Sequence, residues 1–424
     1  MKKASIVSIG NELLNGQKVD TNTTYLSGQL LSIGIPVVSF YTIGDDTDTI
    51  VRAFNLAGTF LNADIVLSIG GLGPTDDDLT RQAFAKFLGT ELQLQEKLLD
   101  KIQNFFTRRN LPMSDKNKIQ AYIPAGAKAI ENTLGTAPGI VAEAKGKLLV
   151  ALPGVPSEMK QMFAESVLPE LARFVGGPPP VLDGRGTQAV VVRKLRCFGT
   201  GESNIAELLG PLMQRGRNPL INCTAKHGVS TLTITATAKD KDKAHHKAEK
   251  DEKLLRNKLG ELVYGTEEQT LADVVGEELA LQKMTIAVAE SCTGGTLAKL
   301  LTDISGASRY FTHGWVAYSS TAKTGELGVP ADLIEKYGAV SEQVAQAMAQ
   351  GARTKAQTDY AIGITGIAGP AGGTEQKPVG LVYISVDSDN GCDTKRCLFS
   401  HDRQCIRLRA AQTALNMLRL KLNI

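Results

Sequence analysis

The sequence predicts an α/β protein, with two larger α/β domains flanking a small α+β unit. Three observations carry that expectation. Short β-branched runs alternate with stretches of helical period, the βαβ rhythm of a doubly wound sheet with helices on both faces, a three-layer αβα arrangement. At 424 residues the chain is too long for one ordinary domain. The run GGPPP at 176–180 breaks the rhythm as a linker does.

Taken in order, SIVSIG (5–10) reads as a strand and TNTTYLSGQLLSIG (21–34) as a helix closed by Gly34. PVVSFYTIG (36–44) is a strand and DTIVRAFNLAGTFL (48–61) a helix. DIVLSIGG (64–71) is apolar almost throughout, as a strand buried on both faces should be. A helix follows at about 77–88, and KLLVAL precedes a further glycine turn. Past the linker come a strand QAVVVRKLRCFG, a short helix from about 202, strands LINCTA and STLTITATA, and a Lys-rich helix 240–258 whose mixed charges suit a solvated face. From about 265 the sequence gives helix LADVVGEELALQKM, strand TIAVAES, helix TGGTLAKLLTDI, strand WVAYSS, helix SEQVAQAMAQGARTKAQ, strands YAIGITG and GLVYISVD, and a last helix at about 402–420. The domains are therefore expected at 1–172, 181–258 and 264–424.

Composition narrows the class. Forty-seven basic against forty-four acidic residues leave a net charge of +3, with 5% aromatics and a single Trp. That is poor material for a nucleic-acid surface, which clusters basic and stacking residues. No apolar run is long enough to span a membrane. The start MKKASIVSIGNELL reads as a first strand rather than a signal peptide. The six cysteines form no C-x-x-C and the five histidines are scattered, so free thiols in a reducing cytoplasm are expected and a structural zinc is not.

Two glycine-rich turns in the first domain follow strands, where ligand-binding loops of such sheets belong. One is SIGNELLNGQKVDTN, with Glu12, Gly16, Asp20 and Asn22; the other is SIGGLGPTDDDLT, with Gly71, Gly73, Thr75, Asp77 and Asp78. Neither is a Walker A loop or a dinucleotide fingerprint. Acidic residues at a helix start face the helix dipole favourably. Three in a row also suit a hard cation bridging to a pyrophosphate. Both readings stay open on the residues alone. LPGVPSEMK (152–160) places Gly154 ahead of another helix.

In the third domain AVAESCTGGTLA runs strand, tight turn, helix, with Ser291 at the turn. The amides of Cys292, Thr293 and Gly294 are then expected at a helix N-terminus, ready for an oxyanion or phosphate, or Ser291 is a plain N-cap. Cys292 is a weak nucleophile candidate, since His313 is the only histidine in that stretch. Tyr318 and Lys323 follow. They read as a buried tyrosine with a surface lysine, or as a lysine in a dry pocket that deprotonates a serine. GITGIAGPAGGTEQKPVG offers Thr365 and Gly366 as donors, and Arg403 and Arg407 lie four apart on one helical face.

G-x-E-L-L-x-G, D-T-N, GGLGPT, GTAPG and LPG-x-P-x-EM together resemble the domain shared by molybdopterin-binding proteins, and the particular set resembles the N-terminal half of the competence/damage-inducible CinA family over most of residues 5–160. The resemblance implies a metal-assisted ADP-ribose pyrophosphatase using a divalent metal ion and K+. Asp78 would be metal ligand or catalytic residue, followed by Asp77, Glu12 and Asp45. Gly71, Gly73 and Thr75 would hold phosphate, with Asn22 and Gly154 also on substrate. AESCTGG, G-x-V-x-Y-S-x-x-x-K, GI-x-G-x-AGP-x-GG and DR-x-x-x-R are similar to the C-terminal domain of that family, and to free-standing deamidases of nicotinamide mononucleotide, over about 266–420. This implies Ser291 as nucleophile, Lys323 as base and proton donor, and Tyr318 orienting the pair. Amides near Thr293 and Gly294, with Thr365, would stabilise the oxyanion. Arg403, Arg407, Gly366, Gly369 and Gly372 would bind phosphate and ribose. No cofactor is implied for that step.

Two positions depart from the family pattern: His401 stands where the family usually has glycine, and Asn11 where an aspartate or threonine is often found. The middle unit orders its elements like a KH module but lacks the G-x-x-G clamp. The expected protein is thus a bifunctional pyridine-nucleotide salvage enzyme, acting on small-molecule nucleotides as a homodimer in the cytoplasm, with neither membrane nor nucleic acid as partner. The alternatives are a non-enzymatic accessory factor in DNA uptake or repair, and a molybdopterin-binding protein.

Overall fold

The structure, a computed structural model, describes residues 2–175 and 189–424. The GGPPP run lies outside the described residues. The described residues divide into two compact units, one running to Val191 and including Ala236–His246, the other Val192–Thr235 with Lys247–Ile424. Among them, no helix is long and apolar enough to cross a membrane.

The N-terminal sheet has the spatial order Val37–Ile43, Ala4–Ile9, Ile65–Ile69, Lys147–Leu152, Gly139–Ala144, Lys128–Ile130. The first three pairings are parallel and the last two antiparallel, so only Gly139–Ala144 runs against the rest. Ala4–Ile9 and Ile65–Ile69 are buried along their whole length, as their near-continuous apolar runs require. Side-chain alternation sends Ile6, Leu67 and Val150 to one face, against Leu26, Leu30 and Phe163. Val7, Val66 and Leu149 go to the other, against Phe54 and Phe84. That is the three-layer αβα expected. The order reverses at Ala4–Ile9, so the loops after it and after Ile65–Ile69 open the crevice where ligands bind in such sheets.

The middle sheet runs Leu220–Lys226, Val229–Ala238, Ala189–Phe198, Val263–Thr266, with helices Glu202–Leu209 and Lys241–Leu259. Its fourth strand, Val263–Thr266, pairs antiparallel with Ala189–Phe198. The sheet therefore reaches beyond residue 258; four residues are too short a run to announce a strand in sequence.

The C-terminal sheet runs Phe311–Val316, Ile286–Glu290, Tyr360–Gly366, Leu381–Ser388, Gly391–Leu398. The first two pairings are parallel and the last two antiparallel. Ile286, Val288, Ile362 and Ile384 pack on one face with Leu271, Val275 and Leu415. Ala287, Ala289 and Ala361 face Val344 and Met348 of helix Glu342–Ala356. The small residues let that helix lie close: a Cβ at Gly363 would meet Ala345 O at 2.3 Å. Ile286–Glu290 lies between two parallel neighbours, so the turns after it, after Phe311–Val316 and after Tyr360–Gly366 gather at one end of the sheet.

Three expectations shift. The strand seen in WVAYSS ends at Val316, and Ser319 caps a helix, Ser320–Leu327, that carries Lys323. The helix expected from about 77 begins at Thr80, leaving Asp76, Asp77 and Asp78 in the turn before it. Strand Gly391–Leu398 and helix Ala331–Tyr337 were not anticipated.

Candidate functional site

In the C-terminal sheet Ser291 follows Ile286–Glu290 directly, and its N–H donates to Ile364 O at 2.9 Å. Lys323 reaches in from its helix. Its Nζ donates to Ser291 Oγ at 2.9 Å and to Ala317 O at 3.0 Å. Lys323 is only 2% exposed, and no carboxylate among the described residues pairs with it. Burial lowers its pKa below the ordinary lysine value, outweighing the opposing pull of Cys292. The structure thus brings together the serine and the lysine, and burial weakens the lysine's hold on its proton.

The turn behind Ser291 differs from a bare helix N-terminus. Glu290 is fully buried, and its carboxylate accepts from the N–H groups of Gly295, Leu297 and Ala298 at 3.0, 3.1 and 2.8 Å. It caps helix Thr296–Thr302, so Ser291 is no N-cap. Gly294 N–H is spent on Ser291 O at 3.1 Å. That removes one expected oxyanion donor and leaves the amides of Cys292 and Thr293 without another residue as partner among the described residues. Thr365 is corrected likewise: its hydroxyl, 1% exposed, donates to Ala339 O at 2.7 Å. Gly366 closes its strand where a Cβ would meet Leu381 O at 2.7 Å, and Gly372 lies in the exposed loop beyond.

Tyr318 does not touch the Ser–Lys pair. It is 59% exposed, and its hydroxyl accepts from Arg403 Nη2 at 2.8 Å. Arg403 Nη1 donates to Gly369 O at 2.8 Å. Arg407 Nε and Nη2 both donate to Thr293 O, at 3.0 and 2.7 Å. The two arginines do reach the site from one helical face, and in this structure they tie its loops together. Cys292 is buried and its thiol is pushed up to about 12, chiefly by burial, so it is no nucleophile at neutral pH. His313 stacks on Trp315. His401, at the family's glycine position, holds φ at 89°, a region that favours glycine.

In the N-terminal unit every residue expected at the pyrophosphate site lines one cleft of about 570 Å³: Glu12, Asn22, Asp45, Gly71, Gly73, Thr75, Asp77, Asp78 and Gly154. Gly70 has φ 101° and a Cβ there would meet Ile9 O at 2.2 Å, so only glycine permits this turn. Asp78 departs from the expectation. Its carboxylate accepts from Gly73 N–H (2.8 Å), Thr75 N–H (2.9 Å) and Thr75 Oγ1 (2.5 Å), so it staples its own loop. Asp45 accepts from Asn11 N–H at 2.8 Å. Its pKa is raised, first by burial and then by the charges of Asp77, Glu12 and Asp78. Asn22 donates to Gly154 O at 2.8 Å while its buried Oδ1 has no partner. Among the described residues no three His, Cys, Asp or Glu side chains converge as a metal cage. The cleft carboxylates instead suit a cation that takes one or two protein oxygens and the rest from phosphate and water.

Sequence reasoning missed Arg81. It is 1% exposed beneath the loop and donates to Leu72 O (2.6 Å) and Gly73 O (2.5 Å). Its pKa falls to about 10 through burial. Nothing in its neighbourhood of sequence marks it. Asp20, singled out with Glu12, Gly16 and Asn22 in the first glycine-rich turn, lines the cleft too and accepts from Ser8 and Thr23 hydroxyls at 2.6 Å each.

Three family profiles cover the chain: "Probable molybdopterin binding domain" over 5–173, "Damage-inducible protein CinA KH domain" over 192–265, and "CinA C-terminal domain" over 268–422. The chain is similar to a CinA-like protein of Dictyoglomus thermophilum, 42% identical over 417 residues, covering 98% of each chain. A CinA-like protein of Kosmotoga olearia is 41% identical over 418 residues, again covering 98% of each. Among solved structures, a competence/damage inducible protein from Agrobacterium tumefaciens is 39% identical, covers 36% of this chain and 94% of its own, and has a TM-score of 0.35. A molybdopterin-binding-like domain, a KH-like domain and the C-terminal domain therefore stand in one chain with full-length relatives, and the protein belongs to the CinA family.

Proposed function

We propose that the C-terminal domain hydrolyses the carboxamide of nicotinamide mononucleotide to nicotinate mononucleotide and ammonia. The observation that carries this reading is the 2.9 Å contact between Lys323 Nζ and Ser291 Oγ, made by a lysine 2% exposed. A neutral Lys323 amine takes the Ser291 proton as Oγ forms a bond to the amide carbon. The negative charge that develops on the carbonyl oxygen falls to the uncommitted amides of Cys292 and Thr293. The ammonium of Lys323 returns its proton to the leaving nitrogen, and the C–N bond breaks to release ammonia. Water, deprotonated by the same amine, then cleaves the ester and restores the serine. Arg403 and Arg407 keep Nε and Nη1, respectively, for a substrate phosphate. Tyr318, held by Arg403 at the rim, contacts substrate rather than the Ser–Lys pair.

Ammonia release from nicotinamide mononucleotide tests this. Ser291→Ala is expected to abolish turnover in a folded protein. Full activity in that variant would remove the covalent route.

The N-terminal cleft supports a second activity, hydrolysis of ADP-ribose to AMP and ribose 5-phosphate. What favours it is the single cleft that gathers a glycine turn with Glu12, Asp45 and Asp77, and the raised Asp45 pKa, set first by burial and then by its carboxylate neighbours. A divalent ion held by those carboxylates, with K+ as a further cofactor, would neutralise charge on the phosphates and acidify a water. The chain's own part is to hold the loop, through Asp78 and Arg81, so that its amides face the pyrophosphate. We place both activities in a cytoplasmic homodimer; six free cysteines fit a reducing compartment.

A further inference from the structure

In the carboxylate cleft of the N-terminal unit several hydrogen-bond donors are already committed. Gly73 N–H, Thr75 N–H and the Thr75 hydroxyl all donate to Asp78. Ser8 donates its hydroxyl to Asp20 at 2.6 Å, and Asn22 its Nδ2 to Gly154 O at 2.8 Å. Lys18, the one basic side chain among the described lining residues, stands 3.5 Å from Glu12. Gln120 differs. It lines the same cleft and is 1% exposed. Its Oε1 accepts from Asn117 Nδ2 at 3.2 Å, and Asn117 is itself buried. That bond fixes which way the Gln120 amide faces, and Nε2 is left with no hydrogen-bond partner among the described residues. An unpartnered amide donor in so buried a side chain is costly until a ligand completes it.

The place of Gln120 favours a phosphate as that ligand group. Its short helix, Asp115–Ala121, is moored to the outer end of the glycine turn: Lys116 Nζ pairs with Asp76 at 3.0 Å, and Lys116 and Ile119 border a small pocket with Pro74 and Thr75. A donor beside that turn needs an acceptor, and phosphoryl oxygens are acceptors that carry charge. An uncharged donor also suits a wall of carboxylates. A lysine there would pair with a neighbouring carboxylate, as Lys18 does with Glu12, whereas an amide held by Asn117 keeps its N–H groups open. We infer that Gln120 binds the substrate's pyrophosphate, donating Nε2 to a phosphoryl oxygen. The inference rests on the ADP-ribose reading of this cleft for the identity of that pyrophosphate.

The test uses the full chain at a fixed Mg2+ concentration, with inorganic pyrophosphate as calorimetric ligand and ADP-ribose as substrate. Gln120→Met removes the donor. Gln120→Glu keeps the shape of the side chain and an oxygen for Asn117, but turns a charged acceptor toward the phosphate. Gln120→Met is expected to weaken pyrophosphate binding, and to raise KM for ADP-ribose, by about tenfold to a hundredfold, the worth of a hydrogen bond to a charged group. Gln120→Glu is expected to lose more, through like-charge repulsion. Pyrophosphate affinity and KM within about twofold of wild type in both variants overturn the contact alone. A loss in Gln120→Met with Gln120→Glu at the wild-type level assigns Gln120 a structural role and overturns it too. A wild type that binds pyrophosphate through Gln120 but leaves ADP-ribose intact removes the pyrophosphatase reading and keeps the anion contact. A wild type that neither binds pyrophosphate nor hydrolyses ADP-ribose overturns both.

Discussion

Replacing Lys323 by Met keeps the aliphatic stem and removes the titrating nitrogen. The consequence for stability follows from the sign of the pKa shift. Burial depresses the folded pKa below the ordinary value of 10.5. Between the depressed value and 10.5 the unfolded chain holds a proton that the folded chain lacks, so wild-type stability rises with pH there. Below that window both states are protonated and the wild type bears the whole cost of a buried ammonium. Above it the cost has gone. The slope inside the window is at most about 1.4 kcal/mol per pH unit. The methionine variant carries no such dependence. Losing the bond to Ala317 O costs about 1–3 kcal/mol, but that term does not vary with pH. The chain's single Trp, Trp315, lies on the strand leading to Ala317, so its fluorescence reports unfolding of this domain. Urea transitions of wild type and Lys323→Met from pH 6 to 10 should converge or cross as pH rises, the wild type gaining relative to the variant. Amide hydrolysis in the variant should fall by at least about 10²–10⁴. Parallel stability curves over the whole range would show that Lys323 titrates equally in both states, and the neutral-amine mechanism would lose its basis.

Other outcomes follow from the same geometry. Cys292→Ala should keep ammonia release within a few-fold of wild type, because a thiol pushed up to about 12 supplies no thiolate at pH 7; a loss as deep as that of Ser291→Ala would reverse the assignment of nucleophile. Glu290→Gln replaces an acceptor for three amides by a group that turns a donor toward some of them, so the Trp315 transition should fall by about 2–3 kcal/mol and kcat with it; an unshifted transition would mean the buried carboxylate does not hold the turn. His401→Gly relieves a left-handed φ and should stabilise by about 0.5–1 kcal/mol; a lower melting temperature would show that the histidine ring makes a compensating contact. Asp45→Asn removes a carboxylate whose pKa is raised, so the folded state holds a proton more tightly than the unfolded one and the charge costs stability above the ordinary value of 3.8; at pH 7 the variant should melt higher while ADP-ribose turnover falls, and a lower melting point would refute a net cost of this buried, crowded charge.

The alternation of apolar runs with helical periods gave away both large sheets, because strands buried on both faces leave little else in their sequence. Strand Gly391–Leu398 was hidden for the converse reason. It is an edge strand, GCDTKRCL, with most side chains exposed, and edge strands carry charge rather than apolar alternation. Ser291 was legible from its turn. Lys323 was not legible from spacing, since the contact joins residues 32 apart through a short helix containing Thr and Gly. The residues left a surface lysine and a base for serine both open, and the family resemblance chose the second. The role given to Tyr318 failed because a motif records which residues recur and says nothing of which atom each one meets. The loop-holding bonds of Asp78 were not legible because a carboxylate after a glycine turn serves equally as a cation ligand or as a staple for its own loop, and the difference lies in backbone torsions.

Buried Arg81 was the least legible feature; Arg407, half-buried, was singled out in the sequence but not for holding a loop, and a common physical reason connects the two. Arg81 donates to the carbonyls of Leu72 and Gly73; Arg407 donates twice to the carbonyl of Thr293. A loop that must offer amides to an anion has to send its carbonyls elsewhere, and in a dry place those oxygens need donors. Guanidinium suits the task because its fork takes adjacent acceptors in a plane and it stays charged even when burial lowers its pKa, as the value of about 10 for Arg81 shows. A lysine there would be a single-point donor and a poorer hold. The residues that aim each loop therefore lie behind it, bonded only to backbone, and a backbone carbonyl has no sequence signature. Recognising such positions requires knowing which way a peptide unit faces, and that is settled by the fold.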